Sequence, residues 1–583
     1  MSVLRNISVA ILVGAVLTGW IYQYQLVGNT EIHWDEFYFL SKVHAYEAGW
    51  WAHTLQSMYV HFFGWLTWAG PNEVDQVIWG RSFSLVFLTS MTGLGLFFGV
   101  RRLTESTTAA LAAAFLGLAH PFAAFQAFRF RVDPMLAAGF VGMAALLIVA
   151  RESRIVRNAV AVIVGLMGTL SMKAIFFVPS LVILLALRTE DESWWVRVKR
   201  IFEFGWVSAL SASLFLGMHH LTLAEGGVAN SQVLAGRAAE TMFGRYLPRR
   251  YLLEQTLQFE QVFWWPIAAG FWVSLGSLLV VVLGWSWFKA STRRAAIATL
   301  AMCIPLTFPL FYRNAFHYFY ICIIPPACFG VGWLVCIVER LLKRWAPRRL
   351  RMHEWIAAAA TLPLLFLVVQ QMPREDPGKL KAQREFLDVV HQVFPEPVPY
   401  LDRCSMVASS RKVGPFLTTW RLRDLRAGMK PGIEDLVRSQ EPVFVVNNMN
   451  GLDLSKNWKS LKKDRHRIPK TDFQFLKKHY IQHVGPLWVA GQILDTSDTL
   501  VDFSIIVEGT YTLESTHSVR IDGVERAANS TIQLSKGPHQ IQAVPDTPGG
   551  TAVLRIGDHL ERPTLSKPSS KLFSKRQHPV RPK

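Results

Sequence analysis

Residues 7–27, ISVAILVGAVLTGWIYQYQLV, form an uncharged stretch long enough to cross a bilayer, and His33-Trp34-Asp35-Glu36-Phe37-Tyr38 follows soon after it. A membrane span needs roughly 20 mainly apolar residues, so this stretch sets a membrane-embedded fold as the expectation. The acidic pair then lies just beyond the lipid core, where a carboxylate can do chemistry at the membrane surface.

The rest of the chain extends that reading. Across 583 residues the composition is 51% hydrophobic, with 21 Trp and 38 Phe, too apolar for an ordinary soluble protein. The apolar residues gather in runs before about residue 372. By the length rule about eleven runs can span, with shorter hairpin halves tolerated inside a bundle. They cover 7–27, 77–98, 108–125, 134–150, 159–172, 174–187, 202–221, 262–288, 297–312, 319–341 and 355–369. The fifth and sixth form one run broken by Lys173, too long for one straight span, and they read as a hairpin with Lys173 at its outer turn.

Charge sets the expected orientation, because short positive loops stay cytoplasmic. Arg101-Arg102, Arg151 with Arg157, Arg197 with Arg200, Arg293-Arg294 and the cluster from Lys343 to Arg351 mark that side. Residues 29–75 and everything after about 370 then fall outside, with the N-terminus cytoplasmic. The first span reads as a retained anchor rather than a cleaved leader, since no small-residue cleavage site follows it. The net charge of +19 lies largely in those loops and in a basic tail, so nucleic acid is not an expected partner. Four of the five cysteines fall in expected spans and Cys404 stands alone outside, so no disulfide framework is expected.

Four regions result: a transmembrane domain at 1–372, containing an outer loop of amphipathic helices at 29–75; an outer α/β domain at 373–500; a small β-sandwich at 501–563; and a disordered basic tail at 564–583. The first loop is rich in Trp, Tyr and Phe, as a segment lying among lipid headgroups would be. It holds six acidic residues and one lysine. A second outer loop, 224–258, carries a basic run at 245–250. In the sandwich, short β-runs at 503–507, 510–513, 519–521, 532–534, 539–544 and 552–556 are separated by the turn pairs Asp522-Gly523 and Lys536-Gly537.

Asp35 and Glu36 are adjacent, so on a helix they diverge by about 100° and only one can point into a given site. Either could instead serve the helix expected to begin near Phe37, since Asp is a favoured N-cap. Arg129, Arg131 and Asp133, in Phe128-Arg129-Phe130-Arg131-Val132-Asp133-Pro134, sit at the outer end of a hairpin, where charges are costly unless paired or wet. Lys173 interrupts an uncharged run and needs an anion or an interface. Arg313, His317 and Tyr318 share a short outer loop that could hold a phosphate. One carboxylate loop and several cations on one face suit transfer of a sugar from a lipid phosphate to a hydroxyl. The acceptor needs a base, and the departing phosphate needs cations or a metal.

Asp35-Glu36, Gly80-Arg81-Ser82-Phe83-Ser84 running to Arg101-Arg102-Leu103, Arg131-Val132-Asp133, Ser171-Met172-Lys173 with Pro179, and His317-Tyr318 with Pro325-Pro326 occur in order. That ordered set resembles the GT-C glycosyltransferases, in the branch of protein O-mannosyltransferases and lipid A aminoarabinose transferases, over about residues 7–342. The resemblance implies a polyprenyl-phosphate-linked sugar as donor, inverting transfer on the outer face to a cell-envelope acceptor, membrane lipids as surroundings, and a bacterial inner membrane as the location. It implies Asp35 as base, with Glu36 the other catalytic candidate. Arg131 and Lys173, joined by Arg313, His317 and Tyr318, would meet the donor phosphate, with Arg129, Asp133 and Arg81 in support.

The chain departs from the family at Ala174, where glycine is frequent, and in its outer domain. A divalent metal, magnesium or manganese, is a candidate cofactor because members differ in needing one. No dedicated cage is visible, and His33, His44, His53 and His61 fit no standard ligand spacing. Two alternatives have their own signatures. A transferase using a diphosphate-linked oligosaccharide would show a metal requirement and a larger donor cavity; a transporter or scaffold would carry polar residues through both leaflets.

Overall fold

The computed structural model describes residues 2–188, 193–223, 265–310, 312, 317–345, 377–428, 431–461, 467–496, 500–545, 550–566 and 572–573. The expected span at 355–369, the second outer loop at 224–258, Arg313 and nearly all of the basic tail lie outside these residues.

The first part is helical. In order come α1 (Ser2–Asn29), α2 (Trp34–Glu47), α3 (Glu73–Phe83), α4 (Ser90–Thr104), α5 (Thr107–Ala119), α6 (Pro121–Ala127) and α7 (Val132–Val149). Then follow α8 (Arg154–Leu170), α9 (Val178–Arg188), α10 (Trp194–Leu221), α11 (Trp265–Leu283), α12 (Ala290–Cys303) and α13 (Ile324–Trp345). Among the described residues six helices are long and apolar enough to cross a membrane: Val9–Asn29, Glu73–Thr104, Val132–Val149, Trp194–Leu221, Trp265–Leu283 and Ile324–Arg344. The second joins α3 to α4 through a π-helical stretch, Ser84–Thr89.

A seventh candidate is α5 with α6, bent by 67°. The bend falls at His120, whose extended backbone (φ −55°, ψ 128°) is what a residue before proline adopts. The run around Lys173 is likewise broken: α8 ends at Leu170, Ser171 is extended, and a 3-10 turn, Met172–Phe177, leads into α9. Lys173 therefore sits at a break, as the charge pattern requires.

The strand-rich part begins after α14 (Pro377–Val393). It contains β1 (Tyr400–Leu401), α15 (Thr419–Arg426), α16 (Ile433–Gln440), β2 (Phe444–Val446) and α17 (Lys470–His479). The strands β3 (Tyr480–Val484), β4 (Leu487–Thr496), β5 (Val501–Ile505), β6 (Gly509–Glu514) and β7 (Val519–Ile521) follow. Last come β8 (Val524–Arg526), β9 (Thr531–Leu534), β10 (Gly537–Ala543) and β11 (Gly550–Ile556). One sheet orders β1-β2-β4-β11-β6-β9 with β3 beside β4, and the other β5-β10-β7-β8. The β3–β4 hairpin turns at Gly485, whose φ of +52° suits glycine. Strand β4 pairs with β2 through residues 487–489 and with β11 through residues 491–496, so a single sheet runs across residue 500.

One apolar cluster joins the first outer loop to the strand-rich part: it includes Phe37, Val43 and Phe63 from the loop and Phe386, Val390, Val446 and Leu513 from beyond residue 376. Polar contacts reinforce the seam. His391 Nε2 lies 2.8 Å from Glu73, Arg384 Nη2 2.6 Å from Asp75, and Asn72 Nδ2 donates to Asp388 at 2.6 Å. These contacts fix the loop that carries Asp35 against α14.

Candidate active site

The cap of helix α2 lies two residues before the one expected at Asp35. The N-cap is His33, held extended at φ −74°, ψ 146°. Its Nδ1 accepts the Asp35 N–H at 3.0 Å, and its own N–H donates to Glu36 Oε2 at 2.9 Å. This is a capping box with histidine in the usual serine role. Burial, with the charges of Arg129, Arg131, Arg403 and Arg81, holds the His33 imidazole well below its ordinary pKa. A neutral ring keeps Nδ1 an acceptor.

With the cap at His33, Asp35 and Glu36 both fall in the first turn and point apart. Glu36 turns inward and is fully buried. Arg81 grips it through Nε to Oε1 at 2.8 Å and Nη2 to Oε2 at 2.7 Å; Arg129 Nη1 adds a contact at 2.8 Å and the Phe130 N–H another at 3.0 Å. Burial alone would raise this carboxyl, but Arg81 and Arg129 outweigh it and hold the pKa at about 2. The remaining Arg81 donors reach the carbonyls of Val27, Thr30 and Glu31, which join α1 to α2. Every oxygen of Glu36 is occupied, and the cluster ties three chain segments together.

Asp35 faces the other way and keeps 22% of its side chain exposed. Its Oδ2 lies 3.0 Å from Arg131 Nη1, while Arg131 Nη2 lies 3.2 Å from Asp133 Oδ2. Lys173 Nζ reaches the other oxygen of Asp133 at 2.5 Å. The Tyr318 ring closes this row, 4.1 Å from the Arg131 guanidinium and 4.9 Å from Lys173 Nζ. Burial raises the Asp35 pKa, Arg131 pulls against it, and Asp133 adds to the rise, leaving it above its ordinary value.

The fold thus brings together Asp35, Glu36, Arg81, Arg129, Arg131, Asp133, Lys173 and Tyr318. His317 opens the 3-10 turn His317–Cys322 that carries Tyr318, and Arg313 lies outside the described residues. Three further residues have no local signal in the sequence. His33 caps the helix, Arg403 lies 4.4 Å over the Trp34 ring from the strand-rich part, and Gln383 of α14 holds Ile32. Histidine is not a usual cap.

Among the described residues no group of three or more His, Cys, Asp or Glu is placed to hold a metal ion. The carboxylates nearest the site, Asp35 and Asp133, are already neutralised by Arg131 and Lys173. That donor set does not fit a divalent ion.

No protein-family model and no curated protein matches the chain. Among solved structures, it is similar to an oligosaccharyltransferase of Archaeoglobus fulgidus in complex with Zn and sulfate, at 10% identity and TM-score 0.46, over 94% of this chain and 98% of the other. It is similar to AglB of the same organism with an inhibitory peptide and a dolichol-phosphate, at 11% and 0.46, over 90% and 76%. It is also similar to ArnT from Cupriavidus metallidurans bound to undecaprenyl phosphate, at 14% and 0.48, over 70% and 86%. All three alignments fall below a TM-score of 0.5, so the functional reading rests on this chain's own residues.

Proposed function

We propose that this chain is an integral-membrane inverting glycosyltransferase that moves a sugar from a polyprenyl-phosphate donor to a cell-envelope acceptor. The supporting observation is the row Asp35–Arg131–Asp133–Lys173, in which a partly exposed carboxylate shares a guanidinium with a buried one that also holds an ammonium. Base and phosphate-binding cations are one network.

In the proposed reaction the donor phosphate takes up Arg131 and Lys173, with Tyr318 beside them. Drawing Arg131 toward the phosphate loosens its hold on Asp35, so donor binding readies the base. Asp35 accepts the proton of the acceptor hydroxyl as its oxygen attacks the anomeric carbon from the face opposite the phosphate. The carbon–oxygen bond to phosphate breaks, the electron pair stays on the phosphate oxygen, and the cations neutralise the charge left there. The raised pKa of Asp35 suits a base working near neutral pH.

In this reading Glu36 does not touch substrate: with Arg81 and Arg129 it positions the first turn of α2. The site lies at the outer face, with the N-terminus cytoplasmic and the strand-rich part periplasmic in a bacterial inner membrane. The test is transfer by purified protein in liposomes, from a synthetic polyprenyl-phosphate sugar bearing the headgroup found by mass spectrometry of the copurified lipid. Asp35→Asn should bind this donor and fail to transfer the sugar. Near-normal turnover by that variant would overturn the assignment of the base.

A further inference from the structure

Helix geometry aligns Asp35, Tyr38, Phe39 and Lys42 at spacings of three, four and seven residues, one face of α2, with Lys42 about 10 Å along the axis from Asp35. Lys42 is the one lysine of a loop with six carboxylates, yet it pairs with none of them. The residue is 8% exposed, and among the described residues its ammonium has no hydrogen bond and no ion pair. Three rings surround it instead: Tyr38 at 4.5 Å, Trp51 at 5.4 Å and Phe39 at 5.7 Å.

The cage is fixed from behind. Tyr38 packs against Phe416 of the strand-rich part at 4.9 Å, Trp51 Nε1 donates to the His53 carbonyl at 2.8 Å, and Phe39 packs against Tyr59 at 5.2 Å. Ring faces favour a cation, but they supply no counter-charge. The side chain is held rigid and mostly covered, its ammonium is not itself fully buried, and no carboxylate meets it, which leaves it open to an anion.

We infer that Lys42 and its cage form an anion subsite that recognises a phosphate or carboxylate on the acceptor. The inference rests on Asp35 being the base. The donor's single phosphate is already met by Arg131 and Lys173 in that reading, so a third cation about two helical turns from the base matches a charge on the other reactant. The acceptor would then be an anionic molecule, oriented with its charge at Lys42 and its hydroxyl at Asp35.

The test is direct binding to the full chain in detergent, using inorganic phosphate and dihexanoyl phosphatidic acid as probes in separate calorimetric titrations. The wild type should show two sites for at least one probe. Arg131→Met should leave one, Lys42→Met should leave the other, and the double variant none, with at least tenfold weakening at each lost site. Lys42→Arg should keep both, and Lys42→Gln serves where Lys42→Met does not fold. A Lys42 site that takes free phosphate points to a charge recognised without lipid, and one that takes only phosphatidic acid points to a lipid-borne charge; either supports the subsite. Unchanged stoichiometry for both probes in the Lys42 variants overturns it. Because binding is read without turnover, failure here is distinct from failure of Asp35 as base.

Discussion

Gln383 and Ile32 exchange two hydrogen bonds across 351 residues of sequence: the Ile32 N–H donates to Oε1 at 2.8 Å, and Nε2 donates to the Ile32 carbonyl at 2.9 Å. Both residues are fully buried. Ile32 immediately precedes the His33 cap, so α14 sets the height from which α2 presents Asp35. Gln383→Leu would take a hydrogen-bond partner from three buried backbone groups, the Ile32 N–H and carbonyl and the Leu572 carbonyl, at about 1–3 kcal/mol for each left unpaired. Turnover should fall more than donor affinity, and the thermal midpoint should drop; unchanged kcat would show that α14 does not position the base.

The two adjacent carboxylates should separate cleanly in assays. Asp35→Asn is expected to cut transfer by about 10²–10⁴, the range for a lost general base, with little change in melting temperature. Glu36→Gln breaks a buried network with two arginines and should cost about 3–5 kcal/mol of stability. Thermal denaturation and single-turnover transfer on the same preparations decide between the roles.

Arg131 uses two nitrogens on two different carboxylates, a geometry a single ammonium cannot reproduce. Arg131→Lys should therefore weaken donor binding by about tenfold or more and lower turnover together. Lys173→Met should weaken donor binding while leaving the Asp35–Arg131 contact in place. Equilibrium binding of a non-hydrolysable polyprenyl-phosphate sugar measures both.

At Gly80 an added Cβ would meet Phe130 at 2.7 Å and 2.9 Å from two of its ring carbons. Phe130 is the residue whose N–H donates to Glu36. Gly80→Ala should thus displace the Arg129–Arg131 hairpin, costing about 1–3 kcal/mol by overpacking. Activity should fall with stability, as followed by thermal melting and by transfer.

The seam between Glu73 and His391 should depend on pH. Burial would lower the His391 pKa, but the hydrogen bond and charge of Glu73 prevail and raise it above the ordinary histidine value. The folded state therefore holds this proton more tightly than the unfolded one. The stabilisation is complete below the ordinary histidine pKa, about 6.5, and is lost as pH climbs through the raised value. The protection of the α14 amides, taken relative to their intrinsic base-catalysed exchange, should fall over that interval in the wild type and stay level in His391→Gln; level protection in the wild type would remove the pair from the seam.

Much of the architecture was legible because hydropathy, charge and turn residues act locally. The apolar runs within the described residues emerge as helical segments, six of them long and apolar enough to span, the Lys173 run breaks at Ser171, and the run at 519–521 forms β7 with the same bounds. The hairpin β3–β4 went unread, although Gly485 between two β-rich runs was its local signal. That hairpin matters because β4 makes one sheet of what reads as two regions. Sequence also fixed that Asp35 and Glu36 must face apart, since adjacency on a helix allows nothing else. Which one met Arg81 and which met Arg131 was left to tertiary structure. So were the Gln383 clamp and the Lys42 cage. These depend on contacts between segments tens to hundreds of residues apart, and no local spacing encodes where a folded chain places its distant parts.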